Sequence, residues 1–104
     1  MFQQVGNHVE RKKLLLQTLE LEKQQGNDCE VAQTLRYLSG VNRLLNLHEE
    51  GIRQAQESLE IFIWIGETVG QANSLNDLAW LLFDAGQPDA AEESASRAID
   101  LVSE

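Results

Sequence analysis

The sequence repeats itself at an offset of forty residues, and this limits the folds open to it more than any other feature. Shifting the chain by that amount lays Ala32, Leu35, Leu38 and Ser39 over Ala72, Leu75, Leu78 and Ala79. The same shift lays Gly51, Ala55, Ser58, Leu59 and Ile61 over Ala91, Ala95, Ala98, Ile99 and Leu101, so that small residues fall on small and large on large. A further shift brings only a half unit into register, in which His8, Glu10, Leu19, Glu20 and Gly26 are identical to His48, Glu50, Leu59, Glu60 and Gly66. The chain therefore reads as two and a half units. A unit of this length buries its apolar face only by stacking on a neighbour.

Within the last unit, Ala72, Leu75, Leu78, Ala79 and Leu82 follow the spacing of one helix face. Gly86 suits the left-handed residue that ends such a helix, and Pro88 suits the first turn of the next, where its missing N–H is no loss. Ala91, Ala95 and Ala98 make a nearly bare stripe, continued by Ile99 and Val102, along which a second helix is expected to lie close to its neighbour. Replacing Ala95 by Leu is accordingly expected to overpack the hairpin. Elsewhere, Asn7 with Glu10, Asn27 with Glu30, Asn46 with Glu49 and Thr68 with Gln71 read as capping boxes. They set helices over 7–25, 28–45, 47–65 and 68–85, before the one that starts at Pro88, with 1–6 as the end of a preceding helix. Ile61 to Ile65, an unbroken run of β-branched and aromatic residues, favours a strand locally. It nevertheless continues the Ala55, Leu59, Phe62 periodicity into Gly66, so a helix is expected, with its apolar last turn either buried on more than one side or exposed as a sticky patch.

These signals predict an all-α fold of antiparallel hairpins stacked as a short right-handed α-solenoid. The chain is one domain over 1–104, divided into the second helix of repeat one (7–25), repeat two (28–66) and repeat three (68–103).

The pattern resembles the tetratricopeptide repeat, a helix-turn-helix unit of about 34 residues. With Ala72 as the first position, Leu75 stands where that family usually has Trp, Leu78 on its Leu, Ala79 on a small Gly and Leu82 on Tyr. Gly86 falls on the turn Gly, while Ala91, Ala95 and Ala98 fall on the Ala, aromatic and Ala positions. The longer period is similar to that of the arrays in kinesin light chains and in the sensor ends of signal-transducing ATPases. The resemblance implies that the first helix of each unit lines a concave groove for a peptide or partner protein. Its groove positions fall on Gln33, Arg36, Tyr37, Gly40, Arg43 and Leu44, and then on Asn73, Asn76, Asp77, Trp80, Phe83 and Asp84. Asn and Gln suit a peptide backbone, while Trp80 and Phe83 serve either as apolar anchors or as packing against an adjacent repeat. Family members that clamp a C-terminal carboxylate use Lys and Asn at four of these positions. Here Gln33, Arg36, Tyr37 and Gly40 stand there, and Arg36 is the sole base.

Charge narrows the partners. The net charge is −9, with six Lys or Arg against five Asp or Glu in 1–48 and two against twelve in 49–104. So acidic a C-terminal half should repel nucleic acid, whose affinity comes mostly from basic side chains on phosphates. No apolar run approaches the length of about 18 residues that spans a bilayer, and 1–6 lacks the character of a signal peptide. The single Cys29 excludes an internal disulfide and fits a reducing compartment, so a cytoplasmic location is expected. His8 and His48 lack partners at metal-ligand spacing, and Glu49–Glu50 and Glu92–Glu93 sit where negative charge complements a helix start. No nucleophile elbow or phosphate-binding loop occurs, so the expectation is no catalytic, cofactor or metal residue and no enzyme.

Self-association is the competing use of the same surfaces. Repeat arrays usually need about three units with polar ends. Leaving about 400 Å² of apolar surface uncovered forgoes roughly 10 kcal/mol of burial. Leu15 and Leu19 in the first helix, with Ile99 and Val102 in the last, are the candidate contacts for a dimer or higher oligomer, or for a structural segment of a larger regulatory protein.

Overall fold

Four left-handed residues punctuate the described chain at intervals of twenty: Gly26, Asn46, Gly66 and Gly86. The computed structural model describes residues 2–103, with side chains from 6 to 103. Five helices form among them, α1 (Phe2–Gln25), α2 (Asp28–Leu44), α3 (His48–Ile65), α4 (Thr68–Asp84) and α5 (Pro88–Val102), and there is no strand among the described residues.

Each of the first four helices closes in the same way. The backbone N–H groups of Asn27, Leu47, Glu67 and Gln87 donate to the carbonyls of Glu22, Asn42, Phe62 and Leu82, which is the long bond of a Schellman turn. The carbonyls of those same four residues then accept from Val31, Gly51, Gln71 and Ala91, the first bonds of the following helices. One residue thus ends a helix and begins the next, so each pair is forced into an antiparallel hairpin.

This economy overturns three of the expected capping boxes. Asn7 lies inside α1, which begins at Phe2 and runs on through Gly6. Asn46 is itself the left-handed residue (φ 62°), a conformation that Asn tolerates, and Leu47 takes the capping position without a side-chain bond. Thr68 is already helical, behind Glu67. Only at Asn27 does the side chain accept from the Glu30 N–H, at 3.3 Å. Pro88 stands in the first turn of α5 as expected.

Consecutive helices pack against one another, and α2 also lies beside α4. The molecule measures 40 × 35 × 18 Å, its thin dimension matching two helices of about 10 Å diameter. This is a tetratricopeptide-like solenoid, with α2 and α4 in one layer and α1, α3 and α5 in the other. Leu19, Val31, Leu35 and Leu38 form one core cluster, joined by Leu15 and Ile61. Ala55, Leu78, Leu81, Leu82 and Ala91 form the other, with Ile52 and Ala90.

Between the clusters the helices come close because their contact residues are small. Ser58 of α3 donates to the Ala32 carbonyl of α2 at 3.0 Å and shares a 2.8 Å hydrogen bond with Ser74 of α4. A Cβ added to Gly51 would meet Leu81 Cδ2 at 2.7 Å, and one added to Gly70 would meet the Phe62 ring at 2.3 Å. Ala95, by contrast, is half-buried and lines an open depression of about 550 Å³ between α4 and α5. The overpacking expected there belongs instead at Gly51 and Gly70.

The Ile61–Ile65 run is helical. Phe62 is buried and Ile61 half-buried, whereas Ile63, Trp64 and Ile65 are exposed, Trp64 to 83%. Of the two expectations for this turn, the exposed apolar patch is the one realised.

A pair of glycine substitutions tests the packing. Gly40 in α2 has open space around its missing Cβ, so Gly40→Ala should gain roughly 0.5–1 kcal/mol from helix propensity. Gly70→Ala drives a methyl into Phe62 and should lose about 1–3 kcal/mol, read as opposite shifts in the denaturant midpoint.

Candidate functional site

The groove wall is built from the outward faces of α2 and α4, whose inward faces are fixed by the cores just described. Leu35 and Leu38 point α2 inward and Leu75 and Leu78 do the same for α4. Helical spacing then turns Tyr37, Leu44, Trp80 and Phe83 outward, and all four are exposed.

Two ion pairs hold the helices side by side. Arg36 Nε donates to Asp77 Oδ2 at 2.7 Å, and two turns further on Arg43 Nε donates to Asp84 Oδ2. Arg43 also lies over the Trp80 ring, 4.9 Å from its centroid, an arrangement in which the ring face attracts the guanidinium. The pairs serve two ends. They set the register of α2 on α4, and they neutralise the bases that a carboxylate would otherwise seek.

A depression of about 510 Å³ opens over this ladder. Arg36, Tyr37, Gly40, Arg43, Leu44, Asp77 and Trp80 line it, and of the twelve expected groove positions these are the ones brought together around one hollow. Asn76 and Phe83 line the second depression, between α4 and α5, with Trp80 as the ridge shared by both. Gln33 and Asn73 line neither. Gln33 Nε2 instead donates to the Tyr37 hydroxyl at 3.0 Å, and Asn73 is exposed. Arg11 and Leu15 of α1 also reach the first hollow, a contribution that a reading of first helices alone misses. The ion-pair ladder carried a sequence signal: Arg36 and Arg43 have the same seven-residue spacing as Asp77 and Asp84.

The self-association candidates divide. Leu19 is buried and Leu15 half-buried in the α1–α2 core, so neither presents a free surface, and a charge at either position would damage the fold rather than dissociate an oligomer. The leucines that α1 does expose are Leu14, Leu16 and Leu21. Ile99 and Val102 of α5 are exposed. Among the described residues no group of three or more His, Cys, Asp or Glu is poised to hold a metal ion, and no helix is long and apolar enough to cross a membrane.

A double-mutant cycle measures the ladder. Arg36→Ala, Asp77→Ala and the double variant should give a coupling of about 0.5–1 kcal/mol by denaturant unfolding, smaller at high salt. A coupling near zero at low salt would show that the pair does not join α2 to α4.

The sequence profile of the family described as Tetratricopeptide repeat matches residues 30–104, which takes in α3, α4, α5 and nearly all of α2. No curated protein and no solved structure matches the chain. With a matching profile over most of its length and the stacked hairpins that such a profile describes, this chain belongs to the tetratricopeptide-repeat family.

Proposed function

We propose that the chain is a docking module that presents the α2–α4 face to an extended or helical segment of another polypeptide. The family as a whole mediates protein–protein interaction and is a non-catalytic repeat. One observation carries the finer reading: exposed Tyr37 and Trp80 border a hollow of about 510 Å³ in which Arg36, Arg43 and Asp77 are already paired within the chain, while Arg11 at its edge is in no ion pair among the described residues. Such a surface favours a segment held by apolar anchors and backbone hydrogen bonds over one held by a terminal carboxylate.

A second reading rests on the ends of the stack. Leu14 and Leu21 at one end, with Ile99 and Val102 at the other, are large, apolar and exposed, which supports an oligomerising role, including one within a larger regulatory protein.

Affinity capture with the full chain as bait separates these uses. Trp80→Ala and Tyr37→Ala should lose the captured partner by tenfold or more while helix content by circular dichroism stays constant, about 1.4 kcal/mol per tenfold. Undiminished capture by both variants would rule out the α2–α4 face as the docking surface.

A further inference from the structure

We propose that the segment held on the α2–α4 face is an internal stretch of another polypeptide that carries a large apolar side chain beside an acidic one. The apolar side chain sits on the bare backbone of Gly40, and the side-chain carboxylate pairs with Arg11. The proposal rests on the docking reading above and gives its partner a chemistry.

The apolar half follows from Gly40. The glycines at Gly51 and Gly70 are explained inside the chain, since Leu81 and the Phe62 ring occupy the space that a Cβ would need. Gly40 serves no such contact, because nothing lies within 4 Å of where its Cβ would stand. A glycine in mid-helix weakens the helix, and here no packing within the chain offsets that cost. Forty residues on, the same position holds Trp80. Gly40 is thus a bare floor in the hollow of about 510 Å³, with Leu15 of α1, Leu44 of α2 and Trp80 of α4 among its walls. An apolar anchor from outside fits such a floor.

The acidic half follows from a count of charges around the same hollow. Arg36 is paired with Asp77, and Arg43 is paired with Asp84 while lying over the Trp80 ring. Arg11 is exposed and in no ion pair among the described residues. Its own helix supplies none, because the positions three and four away hold Asn7, His8, Leu14 and Leu15. Of the acids in α1, Glu10 is the neighbouring residue and points about 100° away around the helix. Glu22 accepts from the Thr34 hydroxyl at 2.6 Å, and Glu20 lies roughly 13 Å further along the axis. Three arginines and one aspartate line the hollow, so that after Asp84 is counted one positive charge is left over in a chain of net charge −9. Tyr37 adds a donor, since its hydroxyl oxygen accepts from Gln33 and its own proton is left to give. A single arginine with one hydroxyl suits a side-chain carboxylate. A chain end needs several converging bases, and Asp77 and Asp84 have already taken the other two.

Random peptides fused to phage through their C-termini, selected on the full chain and counter-selected on its Trp80→Ala variant, supply the probe. The survivors should carry Asp or Glu beside a large aliphatic or aromatic residue. Synthesised in amidated and free-acid forms, the best of them should bind equally well by fluorescence anisotropy, and more weakly with added salt. Arg11→Glu should weaken them about tenfold or more, and a fresh selection on that variant should replace the acidic residue by Lys or Arg. Gly40→Leu, which fills the floor, should abolish binding. Circular dichroism should show unchanged helix content for both variants, with Arg11→Ala as the second choice should Arg11→Glu fail to fold. Survivors without an acidic preference, or indifferent to Arg11→Glu or to Gly40→Leu, overturn the proposal and leave the docking face standing. A need for the free terminal carboxylate overturns it in favour of a peptide end. A wild type that dimerises in sedimentation, and loses this with Trp80→Ala, overturns it in favour of a second copy. No survivors at all overturns the docking reading with it.

Discussion

Three helices meet at Ser58, and the remainder of the stack depends on how close they come there. Its hydroxyl joins the Ala32 carbonyl of α2 to the Ser74 hydroxyl of α4, and Ala32, Ser58 and Ser74 are all fully buried. Helix axes approach this nearly only where side chains are small. Gly51 lets Leu81 sit against α3, and Gly70 lets the Phe62 ring sit against α4. A hydroxyl serves better than a methyl at the crossing because it is no larger and bonds to a neighbouring helix, leaving few buried polar atoms unpaired. The Asn42 side-chain oxygen is an exception, buried without a partner although its amide nitrogen donates to Gln54 at 2.6 Å.

From that close approach the functional surfaces follow. Because the small residues draw the layers together, the large residues on the outer side of α2 and α4 are left as a continuous wall, with Arg36–Asp77 and Arg43–Asp84 as rungs across it. Its charges are spent within the chain, so apolar and hydrogen-bonding groups are what it offers to a partner. The ends of the stack are a different kind of surface. There Ile99 and Val102, forty residues on from the buried Leu59 and Phe62, are large, apolar and exposed.

Much of this was legible from the forty-residue offset. It gave the number of helices, their pairing and the stops at Gly26, Gly66 and Gly86, and those stops settled the Ile61–Ile65 run as helix against its local β preference. The helix starts were less legible, because Asn has two uses at a helix boundary. Its side chain caps a start, as at Asn27, and its backbone tolerates the left-handed end, as at Asn46; sequence spacing alone does not separate the two. The α1 leucines were ambiguous for another reason. They occur on several sides of the helix, so the pattern does not say which of Leu14, Leu15, Leu19 and Leu21 faces α2. At the groove, the family pattern placed Tyr37, Arg43 and Trp80 beside one hollow, but which polar groups were already occupied depended on the lateral offset of α2 and α4.

The central claim is that small residues bring consecutive helices into one layered stack. Nuclear Overhauser spectra of the isotopically labelled chain address it most directly. Strong cross-peaks are predicted from the Gly70 α-protons to the Phe62 ring and from the Gly51 α-protons to the Leu81 methyls. Helical chemical shifts throughout 28–102 with neither set of cross-peaks would contradict it, leaving five helices that do not stack in this way.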